Sequence, residues 1–247
     1  MRLKGKVALV TGGARRLGRA IALKLAGEGA NIALHYHTSA PEAAATVETI
    51  AALGVEATLI RGDLSQPAQA EQVVAEAALA WGRLDILINN AAIFYRTPLG
   101  HISEAQWDAL LNTNLKGPFF CAQRAGAEMR RHKEGGVIIN FTDTGIYLAW
   151  KGYLPYLISK AGIAHMTYGL AKELAPQVRV NAIAPGPALL PDDHPQAEAD
   201  RAARGTLLNR IGSPAAIAEA TLYLVQADFI TGVVLPVDGG QRWQRPA

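Results

Sequence analysis

The stretch VALVTGGARRLGRAIALKLAG, residues 7–27, decides the fold. Val7 to Val10 form a continuous apolar run that ends at a turn, the pattern of a strand buried on both faces. Thr11, Gly12 and Gly13 follow, a helix opens near Gly18, and Arg19 to Ala26 carry its apolar spacing. A strand that turns through glycines into a helix aims backbone N–H groups and the positive end of the helix dipole at one point, where a pyrophosphate can sit. Glycine permits that close approach, although a tight turn holding nothing has the same signature. An arginine, Arg16, stands where a third glycine is expected.

Outward from this unit the alternation continues. Asn31 to Leu34, Ala57 to Ile60, Leu84 to Asn89, Val137 to Phe141, Val178 to Ile183 and Val233 to Val237 read as strands. An alanine-rich helix is expected over about Pro41 to Leu53, and another from Ser65, with Pro67 just inside it, to Trp81-Gly82. Strands alternating with helices predict a parallel sheet covered on both faces, an α/β doubly wound Rossmann fold in one domain spanning 1–247. Ligands of such sheets lie beyond the carboxyl ends of the strands.

Composition narrows the function. The 247 residues, half of them hydrophobic, suffice for one large core. No signal-peptide pattern and no apolar run of membrane-spanning length occurs, so a soluble, cytoplasmic protein with no membrane partner is expected. The single cysteine, Cys121, excludes an intramolecular disulfide and a cysteine-built zinc site. A formal charge of +3 does not argue for nucleic acid; Arg15, Arg16 and Arg19 cluster beside the phosphate turn instead.

Charge also selects the cofactor. An NAD site usually ends its second strand with a carboxylate for the ribose 2′-hydroxyl, yet nothing acidic lies between Glu28 and Glu42. The stretch is LHYHTS, residues 34–39, so His35, His37, Thr38, Ser39 and Arg15 are expected around a 2′-phosphate, and NADPH is favoured. A metal pair is the other reading of His35 and His37, but no third ligand is near and no metal is expected.

The catalytic signal is YLISK, in which Tyr156 and Lys160 lie one helical turn apart on one face. An ammonium there lowers a phenol's pKa from about 10 and fits it for proton transfer. YGLAK repeats the spacing with Tyr168 and Lys172, but Pro155 marks the helix start, so Tyr156 lies beside the strand ends. Tyr168, roughly 18 Å further on at about 1.5 Å per residue, reads as structural.

These motifs resemble the short-chain dehydrogenase/reductase family over essentially the whole chain: TGGARRLG, GDL at 62–64, NNAA at 89–92, NTNLKG around Asn114, YLISK, APG at 184–186, ITG at 230–232 and VDGG at 237–240. The resemblance implies Asn114 in a water relay to the lysine, Asp63 and Leu64 near the adenine, and a homotetramer. It adds Gly12, Leu17, Gly18, Tyr36, Asn90, Ala91, Ala92, Pro185 and Gly186, with Tyr156 and Lys160, to the cofactor contacts.

One position departs from the family. Its members usually carry a serine three residues after the asparagine of the fifth strand, where INFTDTG has Asp143. A serine donates to a carbonyl oxygen as negative charge develops, whereas an ionised aspartate opposes that charge. A C=N bond needs a proton on nitrogen, which a carboxyl supplies or stabilises. Thr142 and Thr144 are alternatives, but strand alternation turns them to the other face. With Arg16, the HYH-x-S string and NNA followed by Phe94 and Tyr95, this looks like the pteridine reductase subgroup, and the Asp192-Asp193 pair is also similar.

That resemblance implies a pterin sandwiched between Phe94 and the nicotinamide, with Arg16 and the cofactor phosphates at its polar edge. Thr38 and Ala92 differ from the subgroup's protozoan members, which have an arginine and a serine there. Phe94 is otherwise a core or lid aromatic, and Tyr147 and Trp150 line the pocket or pack beneath it. Residues 187–205, proline-rich and charged, read as a substrate lid or a surface excursion, with Leu189, Leu190 and Pro191 as its contacts. The expected function is NADPH-dependent reduction of a dihydropterin, dihydromonapterin or dihydrofolate, with substrate at Arg16, Phe94, Asp143, Tyr156 and Leu190. Reduction of an acyl or sugar-type carbonyl with a protonated Asp143 is the runner-up, and a non-catalytic NADPH-binding regulator the minor alternative.

Overall fold

The computed structural model describes residues 1–188 and 196–243. A seven-stranded sheet runs in the order β3-β2-β1-β4-β5-β6-β7, with every pairing parallel. The strands are β1 Val7–Val10, β2 Asn31–Tyr36, β3 Ala57–Arg61, β4 Ile86–Asn89, β5 Gly136–Phe141, β6 Val178–Pro185 and β7 Val234–Val237. Each expected strand is present, with ends shifted by up to two residues. Chain order reverses between β1 and β4, so their carboxyl ends open the crevice in which a doubly wound sheet binds ligand.

Helices α1 Arg16–Gly27, α2 Ala40–Ala51 and α9 Pro214–Gln226 cover one face; α3 Pro67–Trp81, α5 Gly117–Met129 and α7 Leu154–Leu174 cover the other. Period-two alternation divides each strand between two cores: Ile32 and Leu34 belong to the first and Ala33 to the second. At about 25 cal/mol per Å² of apolar surface removed from water, these two layers supply most of the driving force for folding.

Between β4 and β5 lies an element absent from the strand-helix reading. Ser103 caps α4 Glu104–Leu111 by accepting from the Gln106 N–H, and the Gln106 side chain returns a bond to the Ser103 N–H. The chain then passes through a π-helical turn, Asn112–Lys116, into α5. Such turns insert one residue into a helix and swing side chains to new directions. After β5 come α6 Gly145–Leu148 and then α7.

Residues 189–195, which include Leu189, Leu190, Pro191, Asp192 and Asp193, lie outside the described residues. The second half of the expected lid is not a loop: Gln196–Arg204 form α8, which buries no side chain. Its alanines and an i,i+4 bond from Gln196 to Asp200 favour that helix. No helix among the described residues is long and apolar enough to cross a membrane.

Candidate active site

The glycine turn is built for a tight approach. Gly12 has φ +62°, and a Cβ there would meet Ala91 Cα at 3.0 Å; a Cβ on Gly18 would collide with the Gly12 carbonyl. Asn90 fastens the turn to the end of β4: its Nδ2 donates to the carbonyls of Thr11 and Gly12, and Thr11 Oγ1 accepts from the N–H groups of Asn90 and Ala91. Arg15 is the N-cap of α1 and provides no side-chain cap, so the first N–H groups of the helix face the crevice. Glycines no side chain could replace, together with outward N–H donors and exposed Arg15 and Arg16, fit a dinucleotide's phosphates.

Arg16 itself has φ +55°. The backbone at this position keeps the left-handed conformation suited to glycine, which costs a side chain about 1–2 kcal/mol. Strain of that kind persists where a side chain has a use, and the Arg16 side chain is exposed at this turn.

His35 departs from expectation. It is 2% exposed, its Nδ1 accepts from the Gly12 N–H at 3.1 Å, and its Nε2 donates to the Gly62 carbonyl at 3.1 Å. The ring therefore props the glycine turn from beneath and does not face a 2′-phosphate. Alternation explains this: His35 shares with Ala33 the face covered by α3 and α5, and Tyr36 shares with Leu34 the face covered by α1 and α2. Burial lowers the His35 pKa to about 4, which keeps the imidazole neutral. Between pH 6.5 and 4 the unfolded chain binds the extra proton, so this contribution is complete above pH 6.5 and is lost as pH falls to about 4. Urea melts should show wild type losing about 3 kcal/mol more than His35→Gln over that range, and equal losses would refute a buried neutral His35. His37 and Thr38 are exposed, and Ser39 caps α2 without a side-chain bond.

At the end of β5, Asp143 Oδ1 accepts from the Gly145 N–H at 2.7 Å, which turns Oδ2 toward Tyr156, whose hydroxyl donates to it at 2.8 Å. Tyr156 lies in the first turn of α7, behind Pro155. Burial pushes the Asp143 carboxyl above its usual range, against the Gly145 and Tyr156 bonds and the charge of Lys160. Burial, then the charge of Asp143 and its hydrogen bond, push the Tyr156 phenol well above its ordinary value.

The expected lowering of the phenol by lysine is thus corrected. Lys160 Nζ donates to the Phe141 carbonyl at 2.9 Å and lies 5.8 Å from the Tyr156 ring centroid, while the carboxyl touches the hydroxyl directly. Burial lowers Lys160 to about 8, with Asp143 pulling the other way. Tyr156 is therefore held in its protonated form, with the Asp143 carboxyl as its hydrogen-bond acceptor.

Asn114 lies on the π-helical turn, and its side chain is held by the main chain of Ile93. Its Oδ1 accepts from the Ile93 N–H and its Nδ2 donates to the Ile93 carbonyl, at 2.8 and 2.9 Å. These two bonds make the side chain position the loop bearing Phe94. Phe94 is 55% exposed, stacks on Tyr153 at 4.8 Å and 1°, and meets Tyr156 edge-on at 4.8 Å. Trp150 packs edge-on against Tyr153, whereas Tyr147 turns to Arg242, whose guanidinium lies 6.0 Å from its ring.

The remaining expected residues include Leu17, Asp63, Leu64, Ala92, Pro185 and Gly186. Leu17 is partly buried on α1, Leu64 is buried, and Asp63 Oδ1 accepts from the Ser65 N–H at the turn into α3. Ala92 is exposed beside Phe94, and Gly186 follows Pro185, packed so closely on Asp238 that a Cβ would lie 2.6 Å from its Cα. Thr142 donates to the Lys160 carbonyl, and Thr144 to Pro185 and Gln241, so neither hydroxyl is offered to a substrate. Tyr168 packs on His165.

A family model described as Enoyl-(Acyl carrier protein) reductase matches residues 12–242. A 3-oxoacyl-[acyl-carrier-protein] reductase FabG of Staphylococcus aureus is 37% identical, over 95% of this chain and 97% of its own. A 3beta-hydroxysteroid dehydrogenase of Eggerthella lenta is 34% identical, over 96% and 94%. Among solved structures, a putative short-chain alcohol dehydrogenase from Sinorhizobium meliloti superposes with TM-score 0.93 at 35% identity, covering 98% of each chain. A blue fluorescent protein from a metagenomic library, in complex with NADPH, gives TM-score 0.90 at 35% identity, covering 98% of this chain and 99% of that one.

Proposed function

The chain belongs to the short-chain dehydrogenase/reductase family, and on that premise we propose that it is an NADPH-dependent reductase of a pterin-type C=N bond, in a dihydropterin, dihydromonapterin or dihydrofolate. The observation that carries this reading is the Tyr156 hydroxyl donating to Asp143 at 2.8 Å, where the family commonly has a serine. NADPH is supported by the absence of any acidic residue between Glu28 and Glu42 and by the relative whose structure contains it.

NADPH supplies the hydride. Tyr156 donates the proton to the ring nitrogen, and Asp143, kept protonatable by burial, replaces it. Lys160 orients the nicotinamide ribose and offsets the carboxyl's charge. The open face of Phe94, backed by Tyr153, suits a planar heterocycle, and Arg16 lies at the polar edge. Assembly into a homotetramer belongs to the same reading and is supported by exposed apolar residues on α7, such as Leu154 and Ile158, and by Phe229 before β7.

Carbonyl reduction is the second reading, and the relatives favour it: their names describe 3-oxoacyl and hydroxysteroid chemistry. In that case a neutral Asp143 donates to the developing oxyanion as a serine does. The test is NADPH oxidation with dihydrobiopterin, dihydromonapterin and dihydrofolate beside ketones and 3-oxoacyl thioesters. Turnover confined to pterins supports the first reading, and turnover confined to carbonyls replaces it with the second.

A further inference from the structure

A 2′-phosphate brings close to two negative charges to the end of β2. The loop that receives it, His37-Thr38-Ser39, contains no lysine or arginine, so its own residues provide no permanent countercharge. The neighbouring strand provides one. β3 pairs with β2 in register, with Tyr36 opposite Arg61, so Arg61 ends its strand where β2 passes into the loop. Its Nε donates to the His37 carbonyl at 3.3 Å, which holds the guanidinium against the loop backbone. Arg61 is exposed and makes no ion pair among the described residues.

A guanidinium has five N–H donors in a fixed fork; with Nε on His37, the terminal nitrogens remain for a phosphate. We infer that Arg61 binds the 2′-phosphate of NADPH and, with Arg15 from the glycine turn, sets the preference for NADPH over NADH. Strand β3 thus contributes the charge that the β2–α2 loop lacks. The inference rests on NADPH as the cofactor and is independent of which substrate is reduced.

Calorimetric titration with 2′,5′-ADP and 5′-AMP tests it without any turnover. Wild type should bind 2′,5′-ADP more tightly than 5′-AMP. Arg61→Ala should weaken 2′,5′-ADP roughly tenfold to a hundredfold while 5′-AMP is unchanged, the effect expected for losing hydrogen bonds to a charged group. Arg61→Lys should fall between, because it keeps the charge and loses the fork. Unchanged 2′,5′-ADP affinity in Arg61→Ala, or an equal loss for both nucleotides, would overturn the inference. A wild type that binds the two equally would instead overturn the NADPH reading beneath it. Arg61→Gln, which keeps the stem and an N–H for His37, serves if the alanine variant melts early.

Discussion

Tyr156→Phe should lower kcat by about 10²–10⁴-fold, the usual contribution of a positioned general acid, while NADPH affinity stays nearly unchanged. The hydroxyl is the atom removed, and its hydrogen bond among the described residues is to Asp143, at 2.8 Å. The Phe94 contact is made by the ring, which phenylalanine keeps. Loss of turnover therefore reports proton transfer and not collapse of the aromatic wall. NADPH titration by fluorescence separates the two, and a variant that still reduces the wild-type substrate at full rate would remove Tyr156 from the mechanism.

The second large effect concerns Asp143. Asp143→Asn preserves the side chain's shape but cannot hold or pass on a proton, so pterin reduction should fall by about 10²-fold. Asp143→Ser should lower pterin reduction similarly while sparing or raising carbonyl reduction, since a hydroxyl donates to an oxyanion without opposing its charge. If the serine variant reduces pterins as well as wild type, the carboxyl has no part in substrate choice. The pH profile gives an independent readout. Burial raises the Asp143 pKa, so a step that needs its proton slows as pH rises through that value. A further loss follows near pH 8 as Lys160 gives up its charge. In Asp143→Asn the first fall should vanish and the second should move to lower pH, because the carboxyl's charge no longer supports the ammonium.

Much of the architecture was legible because its signals are local. Apolar runs such as Val7–Val10 and Gly136–Phe141 are buried on both faces, so burial alone marks them as strands of a parallel sheet. The helices around α4 and α5 were less so: the π-helical turn at Asn112–Lys116 breaks the helical period that pattern reading needs. His35 was readable in principle. In NIALHY, period two sets it with Ala33 and not with Leu34, on the face where its ring meets Gly12 and Gly62.

Residue identity and spacing along the chain determined the sheet, the glycine turn, and the presence of Asp143, Tyr156 and Lys160 at strand and helix ends. Spacing along one helix joins Tyr156 to Lys160, but it carries no information about a carboxyl thirteen positions earlier on another element. Only the tertiary structure decided that Asp143 and not Lys160 touches the phenol, that Asn114 holds Ile93, and that Arg61 leans across to His37. Burial and hydrogen-bond partners are properties of three-dimensional neighbours, and they set whether an imidazole stays neutral or a carboxyl keeps its proton.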